Sequence, residues 1–410
     1  MVYWQALFLR GGKAFFDGRK RNKMKKYIGL VSFLLLFTLT SCAQNKQNAV
    51  KLLSMEALEK MKGTNPEAPI EKPEEVIKLD LTGGVGTKHI KNLAQFKNLQ
   101  YLSLESCGLD KVPNAVFDLK QLQVLNIVNN QLAILPKKIG SLINLRKLEI
   151  AFNSFTQLPA EIGDLGKLEH LNLSNVKLTS YPPEFSKLKN LKEVILQKSN
   201  VTSLPKQYEG LASLSSIWLN QNPSINLSTT FKVLAKLPKL KEVVLTRSDI
   251  KVLPMDLPTL PGLQRLLIDG KSLDVKQSIP FLKKLARLEY LYLENIRQVP
   301  ENLQQLTQVK ELALRLKMEN KEDVQQLFAN IKAMSSLNLL QVYGVKSLPT
   351  NIGGLTSLTT LNLRGNFLKT LPEEIKDLQK LKTLNLQVNS FPPEEKARIK
   401  KLLPNTEIKF

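Results

Sequence analysis

Few side chains in this 410-residue chain combine the type and spacing that chemistry demands. Its two histidines, His89 and His170, have no second ligand at metal-binding spacing and no nucleophile beside them, so neither a metal site nor a catalytic set is expected. Gly83-Gly84-Val85-Gly86-Thr87-Lys88 has the glycines of a phosphate-cradling loop but lacks the G-x-x-x-x-G-K-[ST] spacing, and an ordinary loop accounts for it. The carboxylates around 164–172 read as surface charges. No enzyme and no cofactor is expected. Of the two cysteines, Cys42 is the one placed for chemistry. Met24-Lys25-Lys26 leads into 12 mostly apolar residues, Ile28 to Leu39, and then into Thr40-Ser41-Cys42. A basic start followed by an apolar run too short to span a bilayer as a helix has the form of an export signal.

The elements that carry everything else are announced by leucine. Leu99, Leu122, Leu145, Leu168, Leu191 and Leu214 are each 23 residues apart. Read from Leu122, the unit is Leu122, Leu125, Ile127, Asn130, Leu132, Leu135, Pro136, Ile139, Leu142. Leu125 and Ile127 alternate with Val124, Asn126 and Val128, which is the period-two pattern of a short strand with one buried face. Asn130 then turns the chain, because its amide can satisfy backbone donors and acceptors together. Pro136, with Ile139 and Leu142 behind it, predicts a short helix or 3₁₀ segment on the return path. One such unit cannot bury its apolar side alone, and stacking creates the core.

This L-x-x-L-x-I-x-x-N-x-L-x-x-L-P pattern resembles the leucine-rich-repeat family. The resemblance implies an α/β solenoid, or horseshoe, of about 13–14 repeats, with a parallel concave sheet and short helices or 3₁₀ segments outside. Thirteen units open at Leu99 and onward to Leu381, and a degenerate one opens at Val76. The Leu-Pro closing element, as at Leu158-Pro159 and Leu371-Pro372, looks like the subclass shared by bacterial surface proteins and some intracellular signalling scaffolds. The expected organisation is 1–41 as precursor extension and signal peptide, 42–73 as helix and linker, 74–391 as repeats and 392–410 as a terminal cap.

Leu39-Thr40-Ser41-Cys42 resembles the bacterial lipobox. There the cysteine thiol is the nucleophile that takes a diacylglyceryl group, and small residues before it let the peptidase approach. The signal is complete from Met24, so residues 1–23 are read as a mis-assigned extension, the alternative being a long basic n-region. Ala43 after the cysteine resembles outer-membrane sorting. Cys107 falls in the slot that Asn130 fills in the next repeat and is expected to pack there, so no disulfide is predicted.

The formal charge of +23 invites a nucleic-acid reading. Residues 1–41 hold eight Lys or Arg and one Asp, so processing leaves +16. Lysines such as Lys137, Lys138, Lys187, Lys189 and Lys236 are expected on the outer side of the repeats as solvated charges. The sharper reading is non-specific attraction to anionic headgroups or polyanionic glycans. No nucleic-acid partner is expected.

If such a scaffold recognises a partner, the outward strand positions should do it. Ile195, Trp218, Val244, Leu267 and Tyr292 place an apolar stripe across five adjacent repeats, and Arg265, Tyr290, Arg315 and Tyr343 share its face. Aromatic residues with arginine compose binding hot spots. The 23-residue step also breaks here, running 26, 23, 25, 21, 28 and 21 from Leu214 to Leu358, which predicts altered curvature or mobility near 288–345. Taken with the two resemblances, these residues imply a monomeric, non-catalytic envelope protein. It would be held in a membrane by a lipid on Cys42, the outer membrane rather than the inner, and bind a protein, or else a glycan. The alternative is an intracellular scaffold resembling the Leu-Pro repeat proteins of small-GTPase signalling.

Overall fold

The computed structural model describes residues 51–410, apart from Pro254 and Glu319. Cys42, Met24 and the whole of 1–41 lie outside the described residues.

Fifteen parallel strands form one sheet in strict chain order. They are β1 Lys78–Asp80, β2 Tyr101–Ser103, β3 Val124–Asn126, β4 Lys147–Glu149, β5 His170–Asn172, β6 Glu193–Ile195, β7 Ser216–Trp218, β8 Glu242–Leu245, β9 Arg265–Asp269, β10 Tyr290–Ile296, β11 Glu311–Leu316, β12 Leu339–Tyr343, β13 Thr360–Asn362, β14 Thr383–Asn385 and β15 Glu407–Lys409. Register follows the repeat: Leu102 faces Leu125, which faces Leu148, which faces Leu171. The six leucines that set the 23-residue step are all fully buried in one continuous core.

The return paths are 3₁₀ turns in most repeats. Pro136 stands one residue ahead of its turn, in extended conformation, and the turn itself is Lys137–Ser141. Its carbonyl accepts from Ile139 N–H at 3.0 Å, so the proline opens the turn without occupying its first position. Neighbouring turns stack closely enough that a Cβ on Gly163 would come within 2.6 Å of the Glu184 carbonyl oxygen.

Asn130 does what its amide allows. Its Oδ1 accepts from Cys107 N–H at 3.1 Å and Leu109 N–H at 3.0 Å, while Nδ2 donates to the carbonyls of Leu104 at 2.9 Å and Ile127 at 3.0 Å. One side chain thus ties two successive turns together. Ser199, in the equivalent slot, donates to Leu173 O at 2.8 Å, a smaller version of the same tie.

The broken period has a structural cause. The 26-, 25- and 28-residue steps each contain a true α-helix on the return path. With α1 being Met55–Lys60 at the amino end, these are α2 Leu227–Leu234, α3 Val275–Lys284 and α4 Lys321–Lys332. Asn226, Asp274 and Asn320 cap them, each side chain accepting a backbone N–H of the first turn. An α-helix rises less per residue than a 3₁₀ turn, so spanning the same return takes more residues. The strands opposite lengthen too, β9 to β12 having 5, 7, 6 and 5 residues where most others have 3.

At the carboxyl end α5, Pro393–Leu402, and the β15 strand cover the last repeat. At the amino end Leu58 of α1 is fully buried. No helix among the described residues is long and apolar enough to cross a membrane.

Candidate functional site

Outward-facing strand positions form rows across the sheet, because the strands are in register. In one row Glu193, Ser216, Glu242, Arg265, Tyr290 and Glu311 follow one another on β6 to β11. From Ser216 to Tyr290 the row is chemically connected. Trp218 Nε1–H donates to Ser216 Oγ at 3.1 Å, and Ser216 Oγ donates to Glu242 Oε2 at 2.9 Å. The other oxygen of Glu242 accepts from Arg265 Nε–H at 3.0 Å. The guanidinium of Arg265 then lies over the Tyr290 ring, 3.8 Å from its centroid.

A second ladder begins on β10. Arg315 Nε–H donates to the Tyr292 hydroxyl at 3.3 Å, and its guanidinium lies 5.3 Å from the centroid of the Tyr343 ring. Tyr343 in turn donates to Gln341 Oε1 at 3.4 Å. Burial pushes the phenols of Tyr290 and Tyr292 above the usual tyrosine range, opposed by the cations Arg265 and Arg315 beside them. Large planar side chains are thereby held in fixed orientations before any partner arrives, which lowers the entropy lost on binding.

The structure places Ile195, Trp218, Leu267 and Tyr292 in the adjacent row, partly exposed, and brings Arg265, Tyr290, Arg315 and Tyr343 onto the same surface. Val244 is a correction. It is only 3% exposed, because it stands in register between Trp218 and Leu267, whose larger side chains shade it at a strand spacing of about 4.8 Å. It supports the stripe without being part of its accessible surface. Ser216 and Glu242 went unnoticed in the sequence, although aligning the first outward position of every repeat puts them directly beside Arg265.

Elsewhere on the sheet His170 Nδ1 lies 3.2 Å from Glu193 and Lys147 lies 3.2 Å from Glu149, while Glu169 accepts from both Arg146 and Lys192. Among the described residues no group of three or more His, Cys, Asp or Glu is arranged to hold a metal. A groove of about 430 Å³ lies beside α3 along the turns, where Lys276 and Glu301 pair at 2.7 Å, away from the aromatic ladders. Cys107 packs in its turn and donates to Leu81 O at 3.1 Å, and burial pushes its thiol up.

An in-register parallel sheet with asparagine-tied turns is a leucine-rich-repeat solenoid. Family models for a leucine-rich repeat region match residues 137–246, and those for leucine-rich repeats match 97–155 and 357–378. The fold is that of a leucine-rich-repeat solenoid, which suggests a protein-interaction scaffold, and no enzymatic family is indicated. No curated protein matches it in sequence. Among solved structures it is similar to a leucine-rich-repeat protein of Leptospira interrogans, at 29% identity over 88% of this chain and 99% of that one, with a TM-score of 0.52. Two others are an internalin of Listeria monocytogenes, at 22% identity over 72% and 81% with a TM-score of 0.46, and TLR13 from a TLR13–ssRNA13 complex, at 19% over 82% and 61% with a TM-score of 0.41.

Proposed function

We propose that this chain is a monomeric, lipid-anchored protein of a bacterial cell envelope that binds a protein partner on the concave face of β6 to β12 and catalyses nothing. The observation that carries the binding site is the pair of arginine–aromatic ladders, Trp218 to Tyr290 and Tyr292 to Tyr343, which present hot-spot side chains already ordered. The anchor rests on the sequence Leu39-Thr40-Ser41-Cys42 behind its basic and apolar segments, and Ala43 favours the outer membrane. The likeness to a leucine-rich-repeat protein of Leptospira interrogans supports the repeat scaffold on which the binding face is built.

Two measurements test it. Metabolic labelling with a fatty acid should mark the native chain and not Cys42→Ser; label on both, or on neither, removes the anchor and favours the intracellular scaffold. Affinity capture from envelope extracts should retain one protein that is lost with Arg315→Ala or Trp218→Ala and kept with Lys138→Ala on the outer side. Retention by all variants moves the binding elsewhere, and capture of polysaccharide alone makes the partner a glycan.

A further inference from the structure

The positive charge of the repeats is concentrated along one edge. At each repeat from Leu99 to Leu381, the two residues before the leading leucine and the one after it lie at the amino-terminal ends of the strands. Over thirteen repeats these positions hold twelve Lys or Arg against two acids, Glu169 and Glu289. The outer side, where the lysines were expected, is nearly neutral. Its eight 3₁₀ turns from Asn114–Asp118 to Glu373–Asp377, with α2, α3 and α4, hold eleven Lys and ten acids. Lys97, Lys239, Lys241, Arg287, Lys380 and Lys382 on the edge are exposed. At about 4.8 Å per strand the line of charge runs for roughly 60 Å.

The same edge receives the chain from the amino terminus. Leu53 N–H donates to Gln100 Oε1 at 2.8 Å, and Leu53 O accepts from Gln123 Nε2 at 2.9 Å. Gln100 and Gln123 are the residues just after the leading leucines of β2 and β3, and both are buried. Cys42 precedes Leu53 by eleven residues in the sequence.

The geometry points to this lysine-lined edge as a docking surface for anionic phospholipid headgroups, with the aromatic concave face standing free beside it. Lysine outnumbers arginine ten to two on the edge. Lysine suits a diffuse headgroup layer as a hydrated point charge, whereas single-stranded nucleic acid would call for stacking aromatics between the cations. The orientation rests on the Cys42 anchor proposed above; the charge does not.

The test uses the full chain carrying Cys42→Ser, so that no acyl group contributes, and vesicles of phosphatidylcholine with and without about 30% phosphatidylglycerol. The difference between the two vesicles removes any insertion by the apolar segment. Phosphatidylglycerol should raise binding at least about tenfold at about 0.05 M NaCl and the gain should vanish near 0.5 M. Lys239→Glu, Lys241→Glu, Lys380→Glu and Lys382→Glu together should abolish that gain, while Lys137→Glu, Lys138→Glu, Lys206→Glu and Lys232→Glu, an equal charge change on the outer side, should keep most of it. No gain, equal loss in both sets, or edge-dependent binding to heparin or DNA without a vesicle gain would overturn the proposal. Fatty-acid labelling of the native chain is read separately: its failure with the edge effect intact removes the anchor alone.

Discussion

Arg265 lies between two partners on neighbouring strands, its Nε–H on the Glu242 carboxylate at 3.0 Å and its guanidinium 3.8 Å from the centre of the Tyr290 ring. The carboxylate orients the guanidinium, and the guanidinium in turn fixes the ring. With both side chains of the ion pair partly solvated, the pair itself should contribute less than about 1 kcal/mol. Its consequence is order. Replacing Arg265 by Leu removes the cation that opposes burial at Tyr290, so the phenol should titrate at higher pH than in the native protein. Carbon-13 NMR of the labelled tyrosine ring reads this, and an unmoved or lowered titration would show that the stack does not form.

The asparagine slots predict a gradient of stability. Asn153 is buried and donates to Ile127 O at 2.9 Å and Ile150 O at 3.1 Å while accepting from Leu132 N–H at 3.1 Å. Asn153→Ala should cost about 3 kcal/mol, since several buried backbone groups lose their partner. Ser199→Ala, which removes a hydroxyl bonded to Leu173 O and Gln197 O, should cost about 1 kcal/mol. Urea unfolding followed at Trp218 would compare them, and equal costs would contradict the account of the turns.

How much of this was legible in the sequence depended on whether the information was local. The 23-residue step and the strand alternation are properties of the repeat itself, so the register of Leu102, Leu125 and Leu148 could be read directly. The burial of Val244 could not, because it depends on the bulk of Trp218 and Leu267 on adjacent strands. The long steps read only as a broken period, whereas each contains a capped helix such as Asn226 with Leu227–Leu234. The connection from Trp218 to Tyr290 was also hidden, since Ser216 and Glu242 are unremarkable residues until register places them side by side.

Stacked turns leave no room at Gly163. A side chain there would meet the Glu184 carbonyl oxygen at 2.6 Å and the Glu184 Cβ at 2.8 Å. Gly163→Val should lower stability by about 2–3 kcal/mol through overpacking of backbone against side chain. Gly166→Ala, where nothing lies within 4 Å of the new Cβ, should change it little. Thermal melting of the two variants would separate them, and similar melting points would contradict the close approach.

The carboxyl-terminal cap has an acid-sensitive fastening. Glu395 accepts from Leu371 N–H at 2.9 Å and from Arg398 Nε–H at 2.7 Å, and the Arg398 guanidinium holds its carboxyl below the usual range. A lowered folded-state value means that this stabilisation is present above the unfolded-state value, near pH 4.3, and is lost as pH falls through the folded one. Glu395→Gln should therefore be less stable than the native protein at pH 7, by about 1 kcal/mol, and the two should converge in acid. A constant difference from pH 7 to pH 2 would contradict the linkage.

The proposed partner is a protein seated on the ladder-bearing face. The most direct test is photo-crosslinking in living cells, with a photoreactive phenylalanine derivative replacing Leu267 between Val244 and Tyr292 on the sheet, and Lys138 on an outer turn as the control. One dominant protein adduct is expected from position 267, lost on adding Arg315→Ala, and none from position 138. Absence of an adduct at 267, or the same adduct from both positions, would contradict it.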